Sequence, residues 1–477
     1  MKKESKILII LFLMSFVIRF VFILSTPLKI WDETVYSNLG YDLSKDPFDY
    51  SVSKNGWSDF IPSSDKLYAW PRMGFRAPAL PYAIALLYTF GIGNFSDIFI
   101  SLIGAASVCL VYVLGKEMFG KEAAIYSALF FSLIPLHVLN SSKIMTEAPF
   151  TFFVILTFIS FWKGYEKNDN KNKILFGFFL SLSLLSRYTA LWIMPVFPLY
   201  FLIRDSSLKF LRDKYLWYSV AIFFITLSPW LLYGVFEYQN PIGPFIHGAK
   251  AASYWGGSQP PYFFLIYWVP MFSLTGLIFL TSLIYIPLKR LYKKEILLLI
   301  IWTILFIGIA SLIPHKEGRF IIAAAPPISL ISGYVTTQAG KYKKPIIALT
   351  IIASIVILSL NFYTTYKNSY TPTNICFLKG NEFLKNQERE IILTDESSIV
   401  YHYTKKITRF YPRPLNISSL KKIKDQNPGK KVLVFFTDFD MPLNRKENLE
   451  FKKSLDKNLL KIWGCGKPEE RAAIYEL

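Results

Sequence analysis

Four short polar stretches of the chain contain side chains that could hold an anion and move a proton. "LKIWDETVY" contains the adjacent carboxylates Asp32 and Glu33, "NSSKIMTEAPF" contains Glu147, and "LLSRYTALWIMP" contains Arg187. The fourth stretch, "SLIPHKEGRFIIAAAPP", places four polar residues between two apolar runs: His315, Lys316, Glu317 and Arg319. Carboxylates accept protons and guanidinium groups bind phosphate through two hydrogen bonds. These residue types together suit acid–base chemistry on a phosphate-bearing substrate.

Composition places these side chains in a membrane protein. Of the 477 residues, 53% are hydrophobic and only 18% are charged, whereas soluble proteins carry about 25% charged residues. Apolar runs of roughly 20 residues recur, which is the length of a helix that spans a bilayer. The net charge of +20 does not indicate a nucleic-acid partner, because much of the Lys and Arg lies in short gaps between apolar runs. We predict a multi-pass α-helical protein of the plasma membrane.

The apolar runs predict about eleven crossings that start from a cytoplasmic N-terminus. The first run is too long for the apolar region of a signal peptide and lacks a cleavage site, so we interpret it as a retained anchor. The predicted crossings are residues 7–26, 97–115, 123–140, 148–162, 174–185, 190–203, 216–236, 262–288, 296–314, 320–337 and 345–363. Residues 80–93 are short and follow prolines, which favours an interfacial or re-entrant helix. With a cytoplasmic N-terminus, the Lys- and Arg-rich loops between crossings all fall on the cytoplasmic side.

The composition changes after Tyr366. "REIILTDES", "KKVLVFFTDFD" and "RAAIYEL" predict short strands, and "LKGNEFLKNQ" and "RKENLEFKKSLDKN" predict amphipathic helices, a mixture typical of a small α/β domain. We therefore predict a transmembrane domain over residues 1–366, with an outer catalytic loop at 27–78, and an extracytoplasmic soluble domain over 367–477. Cys376 and Cys465 lie in the soluble domain and are either a disulfide or two unrelated thiols.

The predicted topology collects charged residues on one face of the membrane. Arg72 and Arg76 in "WPRMGFRAPALPY" and His247 in a later loop join the residues above on the outer side. A charge in the bilayer centre costs about 2.5–3.5 kcal/mol on insertion scales, so such residues usually face a cavity. Each of them taken singly has the alternative of snorkelling to the interface. Their accumulation on one face favours a common site.

These motifs resemble those of the C-type (GT-C) glycosyltransferases, integral membrane enzymes that use lipid-phosphate sugars. The resemblance covers most of the chain: a "DE" pair after the first span, an Arg/Pro-rich segment before a short helix, a "TE" opening a later span, and a soluble domain at the end. "HKEGRF" is similar to the "HKExRF" signature of dolichyl-phosphate-mannose-dependent mannosyltransferases. The "DE" and "TE" elements resemble the protein O-mannosyltransferase and aminoarabinose transferase branch.

The resemblance implies an inverting glycosyltransferase whose donor is a polyprenyl or dolichyl monophosphate sugar, with mannose as the expected sugar. Asp32 is the expected base, with Glu33 or Glu147 orienting it. The donor phosphate is expected to bind Arg187, His315, Lys316 and Arg319. Arg72, Arg76, Glu317 and His247 are expected to contact substrate, with Glu317 orienting a neighbouring cation. The acceptor, which is a protein, a lipid-linked glycan or a membrane lipid, is expected to approach from the outer side.

Several alternatives remain open at this level. No cofactor is expected, since neither a GxxxxGK nor a GxGxxG motif occurs. A divalent metal held by Asp32, Glu33 and Glu147 is the alternative. A transporter or flippase of a lipid-linked anion would also need buried cations, but the internal repeats and broken mid-membrane helices typical of transporters are not visible. A scaffold or receptor would leave the outer-face charges without a role.

Overall fold

The computed structural model of the chain describes residues 3–52, 73–254, 257–387, 390–412, 414–439, 441–466 and 470–477. Arg72, an expected substrate contact, lies outside the described residues. The helices of the first half are α1 (Lys3–Leu24), α2 (Asp32–Leu43), α3 (Ala79–Thr89), α4 (Ser96–Phe119), α5 (Lys121–Ser132), α6 (Pro135–Asn140), α7 (Glu147–Phe161), α8 (Asn170–Ser186), α9 (Val196–Asp205) and α10 (Lys214–Tyr238).

The second half contains helices and then a mixture of helices and strands. The helices are α11 (Gly243–Tyr254), α12 (Phe263–Ile266), α13 (Trp268–Leu288), α14 (Lys294–Leu312), α15 (Ala325–Thr337), α16 (Lys343–Ser369), α17 (Pro372–Lys385), α18 (Ser397–Thr404), α19 (Ile417–Asp425) and α20 (Lys446–Asn458). The strands are β1 (Glu390–Leu393), β2 (Thr408–Arg409), β3 (Lys431–Thr437), β4 (Leu460–Cys465) and β5 (Ala472–Glu476).

Eight helical segments of the described chain are long and apolar enough to cross a membrane: Glu4–Leu24, Gly93–Phe119, Glu147–Glu166, Lys214–Tyr238, Trp268–Leu288, Lys294–Leu312, Gly318–Thr337 and Gly340–Ser369. This number is smaller than the eleven predicted crossings. Predicted crossings 123–140 and 190–203 are interrupted before Pro135 and at Pro195, because proline lacks the N–H that continues a helix. The crossing predicted at 174–185 is the 17-residue helix α8. The short apolar helix predicted at 80–93 is α3.

The described chain forms two compact units. The first unit comprises residues 1–24, 74–80 and 94–362, and contains most of the apolar helices. In its core α7 packs against α14, where the rings of Phe158 and Trp302 stack with their centroids 3.6 Å apart. Both side chains are buried, and aromatic stacking adds about 0.5–1.5 kcal/mol to the free energy gained by burial. This contact packs α14 against the helix that carries Glu147.

Arg19 is fully buried in the first unit and joins α1 to α6. Its Nη1 donates to the carbonyl oxygen of Ser15 at 2.8 Å and its Nε donates to Ser141 Oγ at 2.7 Å. Its Nη2 lies 2.7 Å from His137 Nδ1. A charge inside a membrane span needs such partners. Arg19 therefore has a structural role in linking α1 to α6.

The second compact unit comprises residues 25–73, 81–93 and 363–477, and is built on a five-stranded mixed sheet. The strand order is β2-β1-β3-β5-β4, with β1 parallel to β2 and β3, and β5 antiparallel to β3 and β4. The three predicted strands correspond to β1, β3 and β5. Segments 25–52 and 81–93 group with this sheet although they lie far from it in the sequence.

Two long-range links hold α17 in the second unit. Cys376 on α17 and Cys465 on β4 form a disulfide with their Cα atoms 5.5 Å apart, which decides between the two alternatives left by the sequence. Phe377 stacks on Phe435 of β3 with the ring centroids 5.5 Å apart. A cross-link between residues 89 positions apart in the chain stabilises the unit chiefly by restricting the unfolded state.

The helix α2 also belongs to the second unit and packs against α18. Asn38 Nδ2 donates to the carbonyl oxygen of Ser398 at 2.8 Å, and Tyr401 Oη donates to Asp42 Oδ1 at 2.5 Å. Gly40 allows the close approach of α3, because a Cβ atom there would lie 2.4 Å from the side chain of Ile84. Asp32 and Glu33, in the first turn of α2, therefore belong to a helix that α18 and α3 hold in place.

Candidate active site

Glu147 is at the centre of the charged network in the first unit. It is the first residue of α7 and its side chain is fully buried. The first turn of a helix favours a carboxylate, because the unpaired N–H groups there carry partial positive charge. Thr146 is the residue before the helix, but its hydroxyl makes no capping hydrogen bond. Its Oγ1 instead accepts a hydrogen bond from Arg187 Nη1 at 3.1 Å.

Arg187 forms a buried ion pair with Glu147. It is held in extended backbone conformation (φ −161°) between the end of α8 and a short 3₁₀ helix, Tyr188–Trp192. Its Nη1 donates to Glu147 Oε1, and its guanidinium group lies 5.7 Å from the ring centre of Phe320. Within the described part of the chain, Nε and Nη2 of Arg187 have no protein acceptor. One edge of this guanidinium group is thus available to a ligand.

Arg319 connects Glu147 to the polar residues of "HKEGRF". It is the second residue of a 3₁₀ helix, Gly318–Ala324. Its Nε lies 2.6 Å from Glu317 Oε2, and its Nη2 donates to Glu317 Oε1 at 3.1 Å. The same Nε lies 3.8 Å from Glu147 Oε1. Two carboxylates and two guanidinium groups from three separate parts of the sequence therefore form one network.

His315 completes this network. Its Nε2 lies 3.0 Å from Glu317 Oε1, while its buried Nδ1 has no hydrogen-bond partner among the described residues. Burial raises the pKa of Glu317, but the hydrogen bond and charge of Arg319, with a smaller effect of His315, outweigh it and hold that pKa below its ordinary value. Glu317 is thus an ionised partner of Arg319 and His315, and its expected role in orienting a cation toward substrate stays a prediction.

Lys316 lies outside the network. Its Nζ donates to the carbonyl oxygens of Gln259 at 2.8 Å and Ile313 at 2.6 Å, and its backbone N–H donates to Gln259 Oε1. The side chain is buried, and in the described structure it makes no ion pair. Its ammonium group joins two loops of the first unit, and its expected contact with phosphate stays a prediction.

Arg76 and His247 belong to the same unit as the network. The guanidinium group of Arg76 lies 5.4 Å from the ring centre of Phe75. Tyr188, which directly follows Arg187, donates from its hydroxyl to the carbonyl oxygen of Gly74 at 2.7 Å, and so ties the Arg76 segment to the network. His247 on α11 packs its ring 4.7 Å from that of Tyr238.

Asp32 and Glu33 belong to the second unit. They occupy the first turn of α2, where Asp32 is partly exposed and Glu33 is buried. Trp31, directly before them, has a left-handed backbone (φ 49°), which turns the chain sharply into the helix. No group of three or more His, Cys, Asp or Glu side chains that could hold a metal ion occurs in the parts of the chain that the structure describes.

Gln259 and Phe320 were not identified by sequence reasoning. Gln259 fixes the loop that contains Lys316, and Phe320 places its ring near both Arg187 and His315. The adjacency of Phe320 to Arg319 in "HKEGRF" could have indicated its place. No local signal identifies Gln259, because its contact with Lys316 spans 57 residues of sequence.

Comparison with known proteins shows similarities of sequence and of structure. Residues 76–233, which include Glu147 and Arg187, match the dolichyl-phosphate-mannose-protein mannosyltransferase family. The structure resembles that of ArnT from Cupriavidus metallidurans bound to undecaprenyl phosphate, with a TM-score of 0.73, 11% identity, and coverage of 98% of this chain and 97% of that one. The chain has the GT-C glycosyltransferase fold.

Two further similarities agree with the GT-C fold. The Archaeoglobus fulgidus oligosaccharyltransferase matches with a TM-score of 0.60 and 14% identity, over 98% of this chain and 73% of that one. Human GPI alpha-1,2-mannosyltransferase 3 is 26% identical over 215 residues, which is 43% of this chain and 37% of that protein. The resemblance to GT-C enzymes is therefore confirmed, as is the predicted fold class of a helical membrane protein with a C-terminal α/β region. The assignment of "HKEGRF" to a mannosyltransferase signature stays a prediction.

Proposed function

We propose that this GT-C protein is an inverting glycosyltransferase that moves a sugar, with mannose as first candidate, from a polyprenyl or dolichyl monophosphate to an acceptor hydroxyl. The description of the matched family names dolichyl-phosphate-mannose, and the ArnT structure contains undecaprenyl phosphate. The structure of the archaeal oligosaccharyltransferase AglB from Archaeoglobus fulgidus contains an inhibitory peptide and a dolichol-phosphate. These descriptions support a lipid-phosphate donor for this chain.

The available edge of Arg187 is the observation that carries the proposal. Glu147 and Thr146 hold Nη1, whereas Nε and Nη2 have no acceptor among the described residues and the side chain is 15% exposed. Nε and Nη2 form the kind of planar fork that matches two phosphate oxygens. Arg319, oriented by Glu317, adds positive charge beside Glu147. Together the two arginines would stabilise negative charge that develops on a leaving phosphate.

The proposed reaction is a single displacement with inversion. The acceptor oxygen attacks the anomeric carbon, the bond from that carbon to the phosphate oxygen breaks, and the polyprenyl phosphate leaves with the electron pair. The acceptor hydroxyl loses its proton to a carboxylate, for which Asp32 is our candidate. The leaving phosphate needs cations rather than a proton, which is the role proposed for Arg187 and Arg319. The transfer is proposed to need no divalent metal and to occur on the extracytoplasmic face.

Donor binding by purified protein tests the role of Arg187. Arg187→Lys keeps a positive charge but removes the two-point fork, so dolichyl-phosphate mannose should bind about 10- to 100-fold more weakly, as expected for losing a charged hydrogen bond. The measurement is binding and transfer of radiolabelled donor to candidate acceptors, with and without EDTA. Arg212→Lys, at an exposed arginine, is the matched control. Unchanged donor affinity in Arg187→Lys would contradict the proposal.

Asp32→Asn tests the proposed base separately from donor binding. The amide cannot accept the acceptor proton, so transfer should fall by about 100-fold or more, while donor affinity stays at the wild-type value. Both quantities are measured on the same preparation, and Asp46→Asn provides a control at another aspartate of the same unit. Transfer at close to the wild-type rate in Asp32→Asn would remove Asp32 as the base, without affecting the role of Arg187.

A further inference from the structure

We propose that a groove between α9, α13 and α14 binds an anionic phospholipid of the bilayer, with the headgroup on the loop of residues 289–294. This loop, "KRLYKK", joins α13 to α14 and is called the basic loop below. The groove belongs to the first unit and shares no residue with the Glu147 network. The inference does not depend on the proposed transferase activity.

The groove has apolar walls and a polar end. Its volume is about 490 Å³. The walls come from three helices: Ile203 on α9, Leu283, Ile286 and Pro287 on α13, and Ile296, Leu297 and Ile300 on α14. Lys294, Leu297 and Ile300 follow each other at three-residue spacing, so one face of α14 runs from the basic loop about 9 Å along the groove. A hydrocarbon chain fits such walls, whereas a free water-soluble anion gains nothing from them.

The polar end of the groove has cations beyond those used in ion pairs. Arg204 pairs with Glu166 and Asp205, and Lys294 pairs with Glu166. The neighbouring cations Lys289, Arg290 and Lys293 are exposed, and in the described part of the chain none of the three has an ion-pair partner; Lys293 lies 5.0 Å from the ring centre of Tyr334. Clusters of this kind at the end of a membrane helix attract anionic headgroups, each cation contributing about tenfold or less in affinity.

The arrangement favours a bilayer phospholipid over other anionic lipids. The cations of the basic loop are exposed and spread over several residues, which suits an abundant lipid held at the membrane surface rather than a buried fork for one phosphate. Tyr292 is 70% exposed and lines the groove at the basic loop. Tyrosine is enriched at this depth because its ring is apolar and its hydroxyl is polar.

Titration of the purified full chain by native mass spectrometry tests the proposal. We expect phosphatidylglycerol to bind about 30-fold more tightly than phosphatidylcholine, equivalent to about 2 kcal/mol. Arg290→Gln/Lys293→Gln should abolish this preference, and Leu283→Trp, which fills the groove, should weaken binding of phosphatidylglycerol. Glycerol 3-phosphate, which has the headgroup charge without chains, should not compete.

Matched variants outside the groove distinguish binding at this site from a general effect of surface charge or hydrophobicity on lipid binding. Lys341→Gln/Lys344→Gln removes two exposed cations at the start of α16 and just before it, and Leu288→Trp enlarges an exposed side chain that does not line the groove. Both should bind phosphatidylglycerol as the wild type does. Equal affinity for the two phospholipids, equal losses in the control variants, competition by glycerol 3-phosphate, or preferential binding of undecaprenyl phosphate would each overturn the proposal.

Discussion

At the scale of single residues, Glu147 is the carboxylate that lies close to two guanidinium groups. Its Oε1 accepts a hydrogen bond from Arg187 and lies 3.8 Å from Arg319 Nε. A carboxylate occupied in this way is better suited to orienting cations than to accepting a proton. We therefore propose that Glu147 positions the two arginines and that Asp32 accepts the proton.

Glu147→Gln is expected to destabilise the first unit strongly. The amide keeps the shape of the side chain but leaves a buried guanidinium group without a counter-charge, which typically costs about 3–5 kcal/mol. Unfolding temperature in detergent, followed by intrinsic fluorescence, measures the effect. Glu317→Gln is the matched control, because Glu317 is 37% exposed and its pairing should contribute about 1 kcal/mol or less. Equal effects of the two substitutions would contradict this role of Glu147.

At the scale of elements, a cluster of tyrosines surrounds a lysine where α2 meets α18. Lys405 directly follows α18, and its Nζ lies 4.5, 5.5 and 5.7 Å from the ring centres of Tyr41, Tyr88 and Tyr401. The pKa of Lys405 is lowered to about 7, chiefly by burial; Asp42 opposes this shift and nearby Lys45 adds to it. The ammonium form is thus disfavoured by the folded unit.

This shift predicts a pH dependence of stability with a definite sign. Between pH 7 and about 10.5 the unfolded chain binds a proton at Lys405 that the folded chain does not, so the free energy of unfolding should rise with pH over that interval. Lys405→Met should remove this slope, because its side chain does not titrate. The measurement is the difference in unfolding temperature between wild type and variant at pH 6.5, 8 and 9.5. A constant difference would exclude a lowered pKa at Lys405.

At the scale of the whole molecule, the number of crossings fixes the side of the C-terminus. Eleven crossings from a cytoplasmic N-terminus place residue 477 outside, whereas eight would place it inside. The segments that decide this are the interrupted stretches 121–140 and 188–205 and the helix α8. We expect the two interrupted stretches to cross, because proline breaks are tolerated in a membrane where neighbouring helices satisfy the freed backbone groups. We expect α8 to cross as well, because its 17 residues are at the short end of the lengths that span a bilayer.

Reporter fusions test this topology directly. Alkaline phosphatase joined after residue 477 should be active and green fluorescent protein at the same place should be dark, because the first folds only outside the cytoplasm. Fusions after Lys167 and Lys289, in predicted cytoplasmic loops, should give the opposite pattern and serve as controls. A fluorescent C-terminal fusion would show that the number of crossings is even.

The sequence by itself determined the properties that depend on local composition. Apolar runs of bilayer length identified the membrane class, short apolar segments after Tyr366 predicted β1, β3 and β5, and charged residues between apolar runs supplied the candidates for a site. Pro135 and Pro195 stand in the sequence where two predicted crossings are interrupted in the structure. Hydrophobic length and period are readable because they arise from neighbouring residues.

Only the tertiary structure decided which of these residues meet. It joined Glu147 to Arg187 and Arg319, directed Lys316 to the carbonyl oxygens of Gln259 and Ile313, and paired Cys376 with Cys465. It also grouped α2 with the C-terminal sheet. Such contacts link positions far apart in the chain, and they depend on how helices pack, which no local pattern of residue types specifies.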